Sequence, residues 1–226
     1  MAESTPSIFE RARERIRGPK EVKFSNGLRL IASIHNADPS IRLYRNKELL
    51  EDLKSYAPAE TVIKVDPKGR WAAEIGSSSS KPILTIGKFK GVDAILDFLH
   101  ECGHLQDPVS TDLALTARNQ YAQKFFRESS DNIDPARFAA LHERDQAVQK
   151  SERNAWAFAI RITRQLDQKY GLDIIKRIGG IDGIFKYVNS YLGRYEQQTI
   201  TELEYLGFEV YSKAQMEETL RDWMKQ

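Results

Sequence analysis

Residues 93–108 read DAILDFLHECGHLQDP, and this stretch joins two halves of the chain that differ in character. Ile95, Leu96, Phe98 and Leu99 recur at helical spacing, so the segment reads as a buried helix that Pro108 ends. With about 100° between successive residues, His100 at 0°, His104 at about 40° and Glu101 at about 100° share one arc of that helix. Two imidazoles one turn apart can grip one divalent cation. A carboxylate beside them is placed to take a proton from a water that the cation acidifies. Imidazoles and a carboxylate on a buried helix need a partner or a metal, because their desolvation is otherwise uncompensated. The residues therefore predict a zinc site on His100 and His104 with Glu101 as general base. Cys102, about 200° round from His100, is expected to face away from the cation as a small core residue. Gly103 lowers helix stability by about 1 kcal/mol relative to Ala, so its use implies that another element packs close to it.

Upstream of this helix the signals are strand-like, from about residue 22 to 90. VKF and LRLIASI flank Ser25-Asn26-Gly27, where Asn-Gly supplies the positive φ values of a tight hairpin turn. TVIKV and RWAAEI are separated by the turn signal Asp66-Pro67-Lys68-Gly69, and Gly76 with Ser77–Ser80 leads into the short apolar strand PILTIG. The region reads as a meander of about four strands, interrupted by a helix over KELLEDLKSYA, residues 47–57. A short amphipathic helix is expected over 7–17.

Downstream, apolar residues recur at three- and four-residue spacing. Helices are expected near 92–105, 111–128, 135–149, 151–169, 172–178, 181–193 and 213–225, with Asp134-Pro135 as N-cap and first-turn proline of the helix over 135–149. YLGFEVYS, residues 205–212, reads as a short strand or extended stretch. The expected architecture is α+β: residues 1–226 form one domain, with a strand-rich lobe over 1–90 packed on a helical lobe over 91–226.

Composition bounds the function. At 226 residues, 41% hydrophobic and 29% charged, the chain has the make-up of a globular domain with a real core, and disorder is excluded. No stretch approaches the roughly 18–20 apolar residues of a membrane span, and MAESTPSIFERARERIRG carries charge where a signal peptide needs an apolar segment. A cytoplasmic protein with no membrane partner is expected. The single cysteine, Cys102, leaves no disulfide framework and no multi-cysteine zinc knuckle. Thirty-four basic against 32 acidic residues give a net charge of +2, a balance that argues against nucleic acid as partner although residues 11–20 are locally basic.

A catalytic zinc takes three protein ligands and leaves the fourth position to water. A histidine six residues after His104 would be one solution, but that position is Ser110. Glu152 is the stronger candidate, because its same-face neighbours Ala155, Trp156, Ala159 and Thr163 make a face that a second helix can approach closely, where an unpaired carboxylate is costly. The alternative for Glu152 is a first-turn residue favoured by the helix dipole after an N-cap Ser151. Glu143 and His142 are the competing ligands, and both sit among polar neighbours.

HECGH, preceded by PILTIG and followed by the E-x-x-A-x-x-F-A of Glu152, Ala155, Phe158 and Ala159, resembles the ImmA/IrrE-type metallopeptidases of the gluzincin clan over residues 80–165. The resemblance implies a minimal zincin fold, zinc on His100, His104 and Glu152, Glu101 as base, and a strand at 83–86 that borders the cleft and pairs with an extended protein or peptide substrate. Peptide-bond hydrolysis is the reaction expected. Tyr187, Tyr191, Tyr195, Tyr205 and His142 are candidates for the group that stabilises the oxyanion. The alternative function is a zinc-stabilised interaction or regulatory protein without turnover.

Overall fold

The computed structural model describes residues 20–33, 39–66, 68–77, 79–125 and 135–205. The expected helices over 7–17 and 213–225, Asp134 and the stretch 206–212 lie outside these residues. What is described is α+β, with two small sheets followed by helices.

Strands β1 (Lys20–Lys23), β2 (Leu28–Ser33), β3 (Ser40–Arg45) and β4 (Glu48–Asp52) form an antiparallel sheet in sequence order. β2 alternates buried Leu28, Leu30 and Ala32 with half-buried neighbours, so its register is fixed by the core face. In the β1–β2 turn only Gly27 takes a positive φ, +80°, where Asn-Gly had predicted two. Asn26 uses its side chain instead, donating from Nδ2 to the carbonyls of Tyr170 and Gly171 at 2.8 Å each and so tying the hairpin to the helical half. The helix expected over KELLEDLKSYA is a correction: Glu48–Asp52 is edge strand β4, and only Leu53–Tyr56 coils, as a 3₁₀ turn capped by Asp52. Asn46, at φ 56°, reverses the chain after β3, a strand absent from the sequence reading; the backbone of 48–52 is then satisfied by the β3 ladder, and an Arg42–Asp52 side-chain ion pair of 2.7 Å joins the two strands. Ladder pairing overrides the helical spacing of Leu49, Leu50 and Leu53.

The second sheet has the order β5–β7–β6, from β5 (Val62–Val65), β6 (Ala72–Glu74) and β7 (Ile83–Ile86). β5 runs parallel to β7 and β6 antiparallel to it. β7 is therefore the central strand and β6 an edge.

Helix α1 (Asp93–Gln106) packs on β6 and β7 and is buried almost all round. Pro108 does not merely end it but opens α2 (Pro108–Phe125) after one residue. The two helices expected over 135–149 and 151–169 are a single helix, α3 (Pro135–Tyr170), about 54 Å long at 1.5 Å per residue. A short α4 (Ile174–Arg177) and a longer α5 (Gly180–Tyr205) follow. One apolar cluster runs from Leu28, Leu30 and Leu43 of the first sheet through Leu84 and Ile86 to Leu96, Phe98, Trp156 and Ile174. None of the helices among the described residues is long and apolar enough to cross a membrane.

Candidate metal centre

α1 and α3 approach more closely than ordinary side chains allow, and Gly103 is the reason. A Cβ at Gly103 would lie 2.7 Å from the Cα and carbonyl oxygen of Ala155, so the glycine lets one backbone rest on the other, as its cost to the helix had implied. The neighbours of Glu152 on that face, Ala155, Trp156, Ala159 and Thr163, are buried, as expected. Cys102 is buried in the core, and burial pushes its thiol well above the ordinary range, which leaves it inert.

This contact brings the ends of four side chains together. His100, Glu101 and His104 each offer a ligand atom within 4.8 Å of the others. Glu152 arrives from α3 with its carboxylate turned to both rings: Oε2 lies 3.1 Å from His100 Nε2 and Oε1 3.7 Å from His104 Nε2. Glu101 Oε1 lies 3.5 Å from His100 Nδ1. All four residues are at most 9% exposed. The competing ligands are elsewhere: His142 and Glu143 are exposed, and His142 contacts Gln146 at 2.8 Å.

The electrostatics are those of a site wanting positive charge. Burial works against a proton on His100, but hydrogen bonds to Glu101 and Glu152 outweigh it and hold its pKa up at about 9. His104 is driven the other way, below its ordinary value, first by burial and then by the neighbouring His100. Two carboxylates thus face a single imidazolium. Two Nε2 atoms facing one carboxylate, with the Glu101 carboxylate on the Nδ1 side of His100, form a donor set that suits a divalent cation of the zinc kind.

Further groups steady the centre. The indole of Trp156 stacks on the His100 ring, with centroids 4.0 Å apart and planes 21° apart. The Ser151 hydroxyl lies 3.2 Å from His104 Nδ1. Ser151 is therefore no N-cap, since it sits buried inside the continuous α3. Three residues before His100, Asp97 accepts hydrogen bonds from Tyr187 at 2.8 Å and Tyr191 at 3.3 Å, both on α5. Burial raises the Asp97 carboxyl to about 6 despite those two donors.

A cleft of about 540 Å³ opens on these residues. Its walls are Gly69–Ala73 on the sheet side, Thr111, Leu115 and Arg118 from α2, and Tyr191 from α5. The strand at 83–86 does not border it. β7 is hydrogen-bonded on both sides, by β5 and β6, so the expected pairing with a substrate at 83–86 is overturned and the edge strand β6 holds that position. Of the tyrosines read as oxyanion candidates, Tyr191 lines the cleft and Tyr187 stands behind it, its hydroxyl 2.8 Å from Asp97 and 3.3 Å from the Tyr191 hydroxyl, while the side chains of Tyr195 and Tyr205 lie outside those described. Thr111, Ser151, Asp97 and the stacking role of Trp156 had no signal in local spacing, because each acts between helices and not along one. Comparison with known proteins finds no matching family model, no matching curated protein and no matching solved structure.

Proposed function

We propose that the chain is a zinc-dependent metallopeptidase with a zincin-like arrangement, of the ImmA/IrrE kind that its HECGH segment resembles. The observation that carries this reading is the convergence of both Nε2 atoms on the Glu152 carboxylate, with Glu101 beside them, at the floor of a cleft walled by an edge strand. His100, His104 and Glu152 would hold the ion. When bound, zinc supplies Lewis acidity, polarising a carbonyl and lowering the pKa of water to about 7.

The chain's own residues do the rest. Glu101 takes the proton of the attacking water and passes it to the leaving amine. β6, paired only on its β7 side among the described residues, offers an unpaired backbone edge along which an extended peptide can lie as an added strand. The small side chains of Ala72 and Ala73 leave room for it. Tyr191 lines the cleft and is the oxyanion donor in this reading, its one hydroxyl proton turning from Asp97 to the developing charge.

The test is cleavage of a peptide library by zinc-loaded protein, with and without chelator, beside a Glu101→Gln variant. The reading expects cleavage that chelator abolishes and that Glu101→Gln loses while keeping its zinc. Zinc binding with no cleavage of any peptide would leave the zinc-stabilised interaction protein, and cleavage unaffected by chelator would refute the metal mechanism.

A further inference from the structure

Beside His104, in the wall of the cleft, two hydroxyls from two other helices meet its second ring nitrogen, Ser151 Oγ at 3.2 Å and Thr111 Oγ1 at 3.5 Å. Thr111, in the first turn of α2, places Oγ1 within 3.0 Å of the His104 carbonyl oxygen and 2.9 Å of the Asp107 carbonyl oxygen. The same Oγ1 lies 3.3 Å from Ser151 Oγ, and Ser151 Oγ lies 3.2 Å from His104 Nδ1. Thr111, Ser151 and His104 are all buried, so an unmade hydrogen bond among them is costly.

The direction of the chain follows from counting protons. A carbonyl oxygen has no proton to give, so the one hydroxyl proton of Thr111 goes to a carbonyl, and its oxygen is left as an acceptor. Ser151 then spends its only proton on Thr111 Oγ1. With that proton committed, Ser151 can only accept from the ring, and His104 Nδ1 must be the donor. The opposite arrangement, with Ser151 donating to Nδ1, sets two hydroxyl lone pairs against each other at 3.3 Å and makes one hydrogen bond fewer.

We infer that Thr111 and Ser151 are positioning residues that lock His104 in its Nδ1–H tautomer, so that the lone pair of Nε2 is presented to the cation. The inference rests on the metal reading above only for its consequence, since the tautomer is a property of the chain. A neutral imidazole ligates through whichever nitrogen carries no proton, and the partner of the other nitrogen decides which that is. In this molecule a two-hydroxyl relay ending on backbone does that work. It also links three helices at one ring, because Thr111 belongs to α2, His104 to α1 and Ser151 to α3.

The experiment reads the tautomer directly, by long-range proton–nitrogen correlation of the imidazoles in the full chain without metal at about pH 8, where an unperturbed histidine is neutral. Wild type is expected to show His104 as Nδ1–H. Ser151→Ala and Thr111→Val should raise the Nε2–H population and weaken zinc binding by about 10–100-fold, the range found for lost ligand-orienting partners. Thr111→Ser, which keeps the hydroxyl, should restore both. If Thr111→Val does not fold, the Ser151→Ala and Thr111→Ser pair carries the comparison. Wild-type His104 as Nε2–H, or unchanged tautomer and zinc affinity across the variants, would overturn the inference. Wild-type His104 as Nδ1–H, shifted by Ser151→Ala in a protein that binds no zinc, would support the relay and refute the metal reading.

Discussion

His100 stands between two carboxylates, and a proton on its ring is what those carboxylates hold when no other cation is bound. Its pKa of about 9 exceeds the ordinary 6.5, so below pH 9 the ring is charged and its ion pairs contribute stability that is lost as pH rises through 9. A metal ion must displace that proton. Zinc binding at pH 7 is therefore expected to release about one proton, read by titration calorimetry in buffers of different ionisation enthalpy, and its affinity should climb about tenfold per pH unit until near pH 9. Binding without proton release would contradict the charge assignment. Glu101→Gln, which keeps the size of the side chain but not its basicity, should retain zinc and lower kcat by about 10²–10⁴-fold. At this scale the sequence was most informative. The four-residue spacing of His100 and His104 is a helical turn, Glu101 is their neighbour in the chain, and Glu152 was marked by the small apolar face that it heads. The alternative that made Ser151 an N-cap rested on the preference of hydroxyl residues for caps, and the continuity of α3 removes it by placing Ser151 inside a helix, facing a ring 47 residues away.

Elements meet where backbones can touch. Gly103→Ala should gain about 1 kcal/mol in helix propensity but drive a methyl into the backbone of Ala155, an overpacking that costs about 1–3 kcal/mol, so a net loss of stability is expected in urea unfolding. Weaker zinc binding should accompany it, because the same contact sets the distance from His100 and His104 to Glu152. A variant as stable as wild type would show that α1 and α3 do not pack on this glycine. Between α1 and α5, Asp97 gives a second check. Its carboxyl titrates at about 6 in the fold against an ordinary 3.8, so as pH rises from 4 to 6 the unfolded chain sheds a proton that the fold keeps, and stability falls. Asp97→Asn should flatten that slope in the metal-free protein, measured as denaturation midpoint against pH. Elements were less legible than residues, for a physical reason. Leu49, Leu50 and Leu53 fit a helix as well as a strand, and what decides is the β3 partner, itself hidden in SIRLYR. Likewise the polar stretch around Ser151 looked like a break between helices, yet burial of Ser151 and Glu152 against α1 carries one helix through it.

Across the whole molecule, α3 is the spine. One stretch of it supplies Ser151, Glu152 and Trp156 to the centre, and its far end is held to the first sheet, where the Tyr170 hydroxyl donates to Glu51 at 2.6 Å, with the Leu50 carbonyl 3.1 Å away, and Lys169 pairs with Glu51 at 3.0 Å. The expected meander of about four strands is overturned: the described strands form two sheets, β5 pairs parallel with β7 and β6 lies at the edge, since strand order depends on contacts that local patterning does not encode. Because one apolar cluster joins sheets and helices, removal of zinc is expected to lower the melting temperature in a single transition seen alike by backbone and tryptophan signals, with a loss of about 4 kcal/mol for a site a thousandfold saturated. Separate transitions for strands and helices would contradict a shared core. The claim on which the rest depends is tested most directly by zinc retained per chain after exhaustive dialysis, for wild type and for His100→Ala, His104→Ala, Glu152→Gln and Glu101→Gln. The expectation is one equivalent in wild type and Glu101→Gln and a marked loss in the other three; no zinc in wild type, or full retention by Glu152→Gln, would contradict it.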